Sequence, residues 1–455
     1  MKLSWKTIVL LCALLTTAGW SQQKLTLKDC IRIALKQNIN IITSENLAEI
    51  ADNNYLSSYS NILPSVSTSF DASRRTIGPR ESIEFQPVGI DSAGNTIVQR
   101  VSVLQDKANL NSHSFSLSVS QNIFDGGGWW NRIRRGKASK NAAFHGMNAQ
   151  INQTITTVAQ NYLDLLKQEK ILEVNQLAVQ RSQDNLDKTQ KMFEIGSVAK
   201  VDVYRARVNL GNDRISQISQ RNAVHQARQR LNISLGKDPN EPLEIEKNVQ
   251  FNFELPELAT MLEQATADQP ELMRQQMDVR TGELDVAISR SVFVPRVSGF
   301  FSYNRSNSEF EKIYNNFDRN WTTAVGVSVD FNLFNGFQDM VNYQNAKIDL
   351  KNKRLALEDY KRTLKSDVST LYQRYRDLQE IVEINQQNLE AAREEYRLAE
   401  ERYRLGSGTS LDLREAQVNL TDAERILVSA EYDQLIAYTQ LQEALGSVQS
   451  ALERL

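Results

Sequence analysis

Phe193-Glu194-Ile195-Gly196-Ser197 returns 210 residues later as Tyr403-Arg404-Leu405-Gly406-Ser407, and this pair of strings decides how the chain is read. The same offset carries Asp202 onto Asp412, Val208-Asn209-Leu210 onto Val418-Asn419-Leu420, and Leu235-Gly236 onto Leu445-Gly446. It also carries Ile123-Phe124-Asp125-Gly126 onto Leu333-Phe334-Asn335-Gly336. Upstream the offset becomes 231, because Leu63-Pro64-Ser65-Val66-Ser67 is answered by Val294-Pro295-Arg296-Val297-Ser298. The difference places a 21-residue insertion in the first half, between Ser67 and Ile123. Solenoids repeat every 20 to 50 residues or so. A period near 210 marks a duplicated half-domain instead.

Each half contains two runs of period two. In the first, Val66, Thr68, Phe70 and Ala72 alternate with Ser65, Ser67, Ser69 and Asp71, and later Phe115, Leu117, Val119 and Ile123 alternate with serines. In the second half Val297, Phe301 and Tyr303 oppose Arg296, Ser298 and Ser302, and Val325, Val327, Val329, Phe331 and Leu333 oppose Gly326, Ser328, Asp330 and Asn332. Such alternation predicts half-buried strands, paired as 65–73 with 114–124 and 296–304 with 323–334. One apolar face and one Ser/Asn/Asp face fit a lipid-facing exterior and a wet lumen, although a hairpin on a soluble core reads the same way for a single pair.

Helices fill the rest. Eight prolines and 19 glycines in 455 residues lie well below the roughly 5% and 7% of average proteins, which disfavours a turn-rich sandwich. Residues 127–195 and 337–405, 69 each, lack proline and carry helical spacing such as Val158, Tyr162, Leu165, Leu166 and Leu172. Continuous helices of that length reach roughly 100 Å. Shorter helices follow each Gly-Ser turn, ending near Leu235 and Leu445, and others precede each strand pair, ending at Asn61 and Val292. Strict heptads are not sustained, which argues against a free-standing coiled coil.

Met1 to Ser21 has the layout of a secretory signal: Lys2 and Lys6, an apolar Ile8 to Leu15, and Gly19 and Ser21 at the −3 and −1 positions before Gln22. Cys12 lacks the small residues that precede a lipidated cysteine, and removal of the signal leaves Cys30 alone, expected as a packing residue. No later stretch is apolar enough for a membrane-spanning helix. An exported chain of this kind is either soluble or spans a membrane as a closed barrel. Four strands do not close a barrel, for which about eight are the minimum. Association of copies follows, and three copies give 12 strands. A formal charge of −2 offers no footprint for nucleic acid. His113, His145 and His225 are too scattered for a metal site, and no nucleophile elbow, phosphate loop or HExxH motif marks a catalytic centre or a cofactor.

These features together resemble the TolC-type outer-membrane efflux protein family, or outer membrane factors. The similarity runs from Leu25-Thr26-Leu27-Lys28-Asp29-Cys30-Ile31-Arg32-Ile33-Ala34-Leu35, like that family's opening helix, through Leu445-Gly446. Strand entry at Leu63-Pro64 and Val294-Pro295, the Phe-Asp/Asn-Gly strand ends, and the Gly-Ser turns followed by Asp202 and Asp412 carry it. The resemblance implies a mainly α fold with a membrane β-barrel: a homotrimer with a 12-stranded barrel, a long periplasmic α-helical barrel and a mixed equatorial region. The expected division is a signal peptide 1–21, a first repeat 22–240, an inter-repeat equatorial segment 241–256 and a second repeat 257–455. It also implies a passive exit duct of a tripartite efflux or type I secretion system, located in the outer membrane and extending into the periplasm. Its partners would be a periplasmic adaptor (membrane fusion) protein, an inner-membrane pump of RND or ABC type, and outer-membrane lipid. A periplasmic coiled-coil structural or adaptor-like protein is the alternative.

By the same resemblance, the turns Gly196, Ser197, Val198 and Gly406, Ser407, Gly408 form the periplasmic tip where the adaptor docks. Asp412 and Glu415 match acidic positions lining the entrance, and Tyr403 and Asp202 match a polar network that holds it closed. Gly408 stands where a family archetype has arginine. Asp202 and Asp412 also fit plain helix caps. Arg132, Arg134, Arg135 and Lys137 fit either anionic headgroups or a solvated helix face, and Trp129 and Trp130 either an interfacial belt or a subunit contact. The insertion, with Pro79, Pro87 and Gly94, fits a longer extracellular loop.

Overall fold

The computed structural model describes residues 24–90, 92–247 and 255–448. The signal segment, Cys12, part of the equatorial stretch (248–254) and the end of the chain lie outside them. The first half runs α1 (Leu27–Gln37), α2 (Ile39–Ser57), a 3-10 turn (Ser58–Asn61), β1 (Ser65–Ile77), β2 (Arg80–Ile90), β3 (Thr96–Gln105), β4 (Ala108–Phe124), α3 (Gly128–Glu194) and α4 (Lys200–Leu235). The second runs α5 (Leu258–Asp268), α6 (Pro270–Ser291), β5 (Arg296–Asn307), a one-turn α7 (Glu311–Tyr314), β6 (Trp321–Asp330), α8 (Gln338–Arg404) and α9 (Ser410–Ala444). The two long helices, α3 and α8, have 67 residues each. Pro270 opens α6 at the position where a helix needs no N–H donor.

The chain divides into two compact units. The helical unit comprises the described residues of Met1–Ala51, Lys140–Val279 and Lys353–Leu455. Two of its hydrophobic clusters obey both sequence offsets. One gathers Cys30, Ala34, Val158, Leu231 and Leu235. The other gathers Met261, Ala265, Val368, Leu441 and Leu445, which are the same positions shifted by 231 or by 210. Burial pushes the Cys30 thiol up to about 12, so it is an inert packing group. Leu25 pairs with Ile245 in a parallel bridge, and the Tyr162 hydroxyl donates to the Glu246 carbonyl at 2.8 Å beneath it.

Two glycines lock this unit. Gly236 and Gly446 end α4 and α9 at φ +79° and +75°, left-handed values that L side chains avoid. Each is a Schellman stop, with Lys237 N–H bonded to the Asn232 carbonyl at 2.9 Å and Ser447 N–H to Gln442 at 3.0 Å. A Cβ on Gly236 would lie 2.4 Å from the Gln37 carbonyl oxygen, and one on Gly446 would lie 2.7 Å from that of Asp268. Gln37 and Asp268 are themselves related by the 231 offset. The two α-helix breaks, at Asn38 and Gln269, therefore seat on repeat-equivalent glycines.

The other unit comprises Asp52–Ser139 and Arg280–Asn352. Its sheet has the order β1-β4-β5-β6, antiparallel throughout, so β1 and β6 are its edges. One face is a serine ladder: Ser65–Ser120, Ser69–Ser116 and Ser298–Ser328 hydroxyls lie 2.7 to 2.8 Å apart. The opposite face carries Val66, Phe70, Phe115, Val119, Phe301, Val325 and Val327, several of them widely exposed, Val325 at 83%. Phe300 lies on the serine face, over the missing side chain of Gly326. Arg305 is 2% exposed; its Nη2 donates to the Lys312, Asn315 and Asn316 carbonyls at 2.9 to 3.1 Å, and its guanidinium stacks on Phe317.

Three sequence expectations change. β6 spans 321–330 rather than 323–334, because its neighbour β5 begins at Arg296, directly after Pro295, and Arg296 pairs with Asp330. Phe331 to Phe334 then have no strand to pair with. β4 is interior and does reach Phe124, through a bulge against Val297. β1, β4 and β5 are also longer than expected, at 65–77, 108–124 and 296–307. The insertion is not an open loop: β2 and β3 form a separate two-stranded hairpin, with its register shift at Pro87, where the ring removes a ladder donor.

Candidate functional site: the two hairpin tips

The helical unit has two tight helix reversals, between α3 and α4 and between α8 and α9. Gly196 (φ +76°) and Gly406 (φ +75°) supply the left-handed residue. Ser197 N–H bonds the Met192 carbonyl at 2.8 Å, and Ser407 N–H bonds Arg402 at 3.0 Å, the same Schellman closure in both repeats. Val198 and Gly408 follow in the two turns.

Beyond the turns the repeats diverge through one residue. The N-cap of α9 is Thr409, whose Oγ1 accepts the Asp412 N–H at 3.2 Å while the Asp412 carboxylate accepts the Thr409 N–H at 3.1 Å. This capping box, with the Arg402 charge adding to it, holds the Asp412 carboxyl below the usual carboxylate range. The N-cap of α4 is Ala199, which has no hydroxyl to offer. Asp202 is thus released from its own turn: it accepts the Ser410 hydroxyl at 3.2 Å, across from the other hairpin, and pairs with Arg205 at 3.5 Å.

Tyr403 is 6% exposed and its hydroxyl lies 3.3 Å from Thr189 Oγ1. Within the chain, Tyr403 and Asp202 therefore serve separate contacts between the hairpins. Glu415 is exposed, one helical turn beyond Asp412. Gly408 is tightly seated, since a Cβ there would stand 3.1 Å from Arg402 Cβ and 3.1 Å from Tyr403 N. The guanidinium of this turn is that of Arg402, with Nη2 3.4 Å from the Ser407 carbonyl. A cleft of about 520 Å³ lies alongside, lined by Asn185, Thr189, Asp202, Arg205, Leu411 and Arg414.

A ladder of ion pairs that sequence spacing did not signal joins the two hairpins. Arg414 forks onto Asp213 at 2.7 and 2.9 Å, and Ser182 donates to the same carboxylate. Arg181 reaches Glu424 at 3.0 Å and Thr421 at 3.1 Å. Lys188 pairs with Glu400 at 2.8 Å and Lys167 with Asp433 at 3.0 Å. Partners more than 200 residues apart leave no local pattern to read.

In the sheet unit, Asp125 accepts the Trp129 N–H at 3.0 Å and Arg132 at 2.8 Å, capping α3, while Asn335 answers at α8 through Asp339 N–H at 3.4 Å. Arg135 bonds Asp285, and Arg134 lies over the Trp130 ring. Three of the four basic residues, Arg132, Arg134 and Arg135, are therefore occupied within the protein. No helix among the described residues is long and apolar enough to cross a membrane.

The duplicated strand-pair and long-helix architecture defines a channel-type outer-membrane fold, and the outer membrane efflux protein family model matches residues 31–237 and 261–447, one segment per repeat. The chain belongs to the outer membrane efflux protein family, and its place is the outer membrane, extending into the periplasm. Among relatives, the outer membrane protein TolC of Escherichia coli is 26% identical over 359 residues, covering 75% of this chain and 70% of TolC. The alkaline protease secretion protein AprF of Pseudomonas aeruginosa is 22% identical over 347 residues, 75% of this chain and 71% of AprF. The CmeC outer membrane channel of Campylobacter jejuni superposes with a TM-score of 0.79 at 17% identity, covering 93% of this chain and 86% of CmeC.

Proposed function

We propose that three copies of the chain close a 12-stranded barrel and act as the passive exit duct of a tripartite efflux or type I secretion system. One observation carries this reading: among the described residues the four-stranded sheet has two unpaired edges, β1 and β6, between an apolar face and a serine face. In lipid each unsatisfied backbone group costs several kcal/mol, so such a sheet persists only when copies pair edge to edge. Names of relatives lend support, AprF being a secretion protein and CmeC a channel.

The turns at Gly196, Ser197, Val198 and Gly406, Ser407, Gly408 are the docking points of a periplasmic adaptor protein, which links the duct to an inner-membrane pump of RND or ABC type. Asp412 and Glu415 line the entrance. In a trimer each forms a ring of three carboxylates that favours cations. Tyr403 and Asp202 hold the hairpins in the closed arrangement through Thr189 and Ser410. In planar bilayers, D412N with E415Q should lower the cation-to-anion permeability ratio. An unchanged ratio would move the selective ring elsewhere.

A further inference from the structure

The hairpin β2–β3 is present in only one repeat and leaves a mainly apolar face exposed. We propose that this face is a self-contact: in the trimer, each hairpin packs against the hairpins of the other two copies, gathering all three over the outer mouth of the barrel. The inference rests on the trimeric reading above.

Four observations carry it. First, the hairpin's register places Ile83, Phe85, Pro87, Val98 and Leu104 on one face, with Glu81, Arg100 and Ser102 between them; Phe85 is 63% exposed and Leu104 65%. A lone two-stranded ribbon is at best marginally stable in water, so such a face calls for cover. Second, Gly78-Pro79 and Asp106-Lys107 alone connect the hairpin to β1 and β4. Since β1 is an edge of the sheet, the hairpin rises at the seam where the next copy's β6 adjoins.

Third, reach favours a meeting at the axis. A 12-stranded barrel with strands about 4.8 Å apart, tilted about 40°, has a radius on the order of 12 Å, whereas ten or eleven strand residues extend about 33–36 Å. Hairpins from three copies are long enough to converge. Fourth, the charges suit like against like. The two strands carry Arg80 and Arg100 against Glu81 and Glu84, and Arg100 lies over the Phe85 ring at 5.7 Å. Copies therefore approach without net repulsion, and there is no positive surplus to favour the phosphates of an outer-leaflet lipid.

The test uses the full-length chain in isolated outer membranes, carrying Phe85→Cys or, on the hairpin's other face, Glu84→Cys, each oxidised with copper phenanthroline. The expected result is a disulfide-linked two-chain band for Phe85→Cys forming at least tenfold faster than for Glu84→Cys. Native sizing is run in parallel. A trimer in which Phe85→Cys stays unlinked, links no faster than Glu84→Cys, or links to a different protein overturns the self-contact and leaves the channel reading intact. A monomer on sizing removes both.

Discussion

Arg414 on α9 and Asp213 on α4 form a two-bonded fork, 2.7 and 2.9 Å, with both side chains largely buried at 20% and 14% exposure. Truncating one partner leaves the other charge buried and unpaired, a cost of about 3 kcal/mol. Arg414→Leu should therefore destabilise the protein far more than Lys188→Ala, whose ion pair with Glu400 is mostly exposed and worth under about 1 kcal/mol. Denaturant midpoints of the two variants check this. The double variant Arg414→Leu/Asp213→Leu should recover much of the loss.

The glycine locks give a second expectation. Gly236→Ala and Gly446→Ala each force an L residue into a left-handed backbone and drive a methyl against a carbonyl 2.4 or 2.7 Å away. The left-handed term alone is about 1–2 kcal/mol. Both variants should lower the Tm and expose the adjoining helix break to protease. Gly211→Ala in the middle of α4, where a Cβ meets nothing within 4 Å, should do neither.

Glu443 sets a pH dependence. Burial raises its carboxyl above the usual range, so the folded state prefers the protonated form. Its stabilising contribution is full below the ordinary Glu pKa and is lost as pH rises through the elevated value. Glu443→Gln should accordingly raise the Tm at pH 8 and leave it nearly unchanged at pH 4. An equal gain at both pH values would contradict this.

Thr409 separates the two tips. Thr409→Ala removes the cap of α9 and should lower the Tm by roughly 2 °C at neutral pH. The Asp412 carboxyl is held below its usual range, so the contribution of the capping box is present above the ordinary Asp value and fades as pH falls below it. The difference between Thr409→Ala and the parent protein should therefore shrink at pH 3. Ala199→Thr is the reciprocal test: by offering Asp202 a cap it should weaken the Ser410 contact.

Much of this architecture was legible because duplication writes each signal twice. The Gly-Ser turns, the proline strand entries and the long proline-free stretches all named their elements, and the 210 and 231 offsets reappear in the cores as Val158 with Val368 and Cys30 with Met261. What stayed hidden depends on partners remote in sequence. The end of β6 is set by where β5 begins, and the Arg414–Asp213 fork joins residues 201 apart. The hairpin β2–β3 was obscured by Pro79, Pro87 and Gly94, residues typical of loops, although Ile83 and Phe85 already alternate with polar neighbours. At the tips, the sequence reading left both Asp202 and Asp412 as caps or gate residues and leaned to the cap more for Asp202, whereas the capping box falls at Asp412. The difference turns on Ala199 against Thr409, one hydroxyl.

Closure of the four-stranded sheet by copies of itself is the central claim, and native mass spectrometry of the full chain extracted from membranes in mild detergent tests it most directly. The channel reading predicts a dominant species of three chains. A folded single chain, or a stable assembly of two or four, would contradict it.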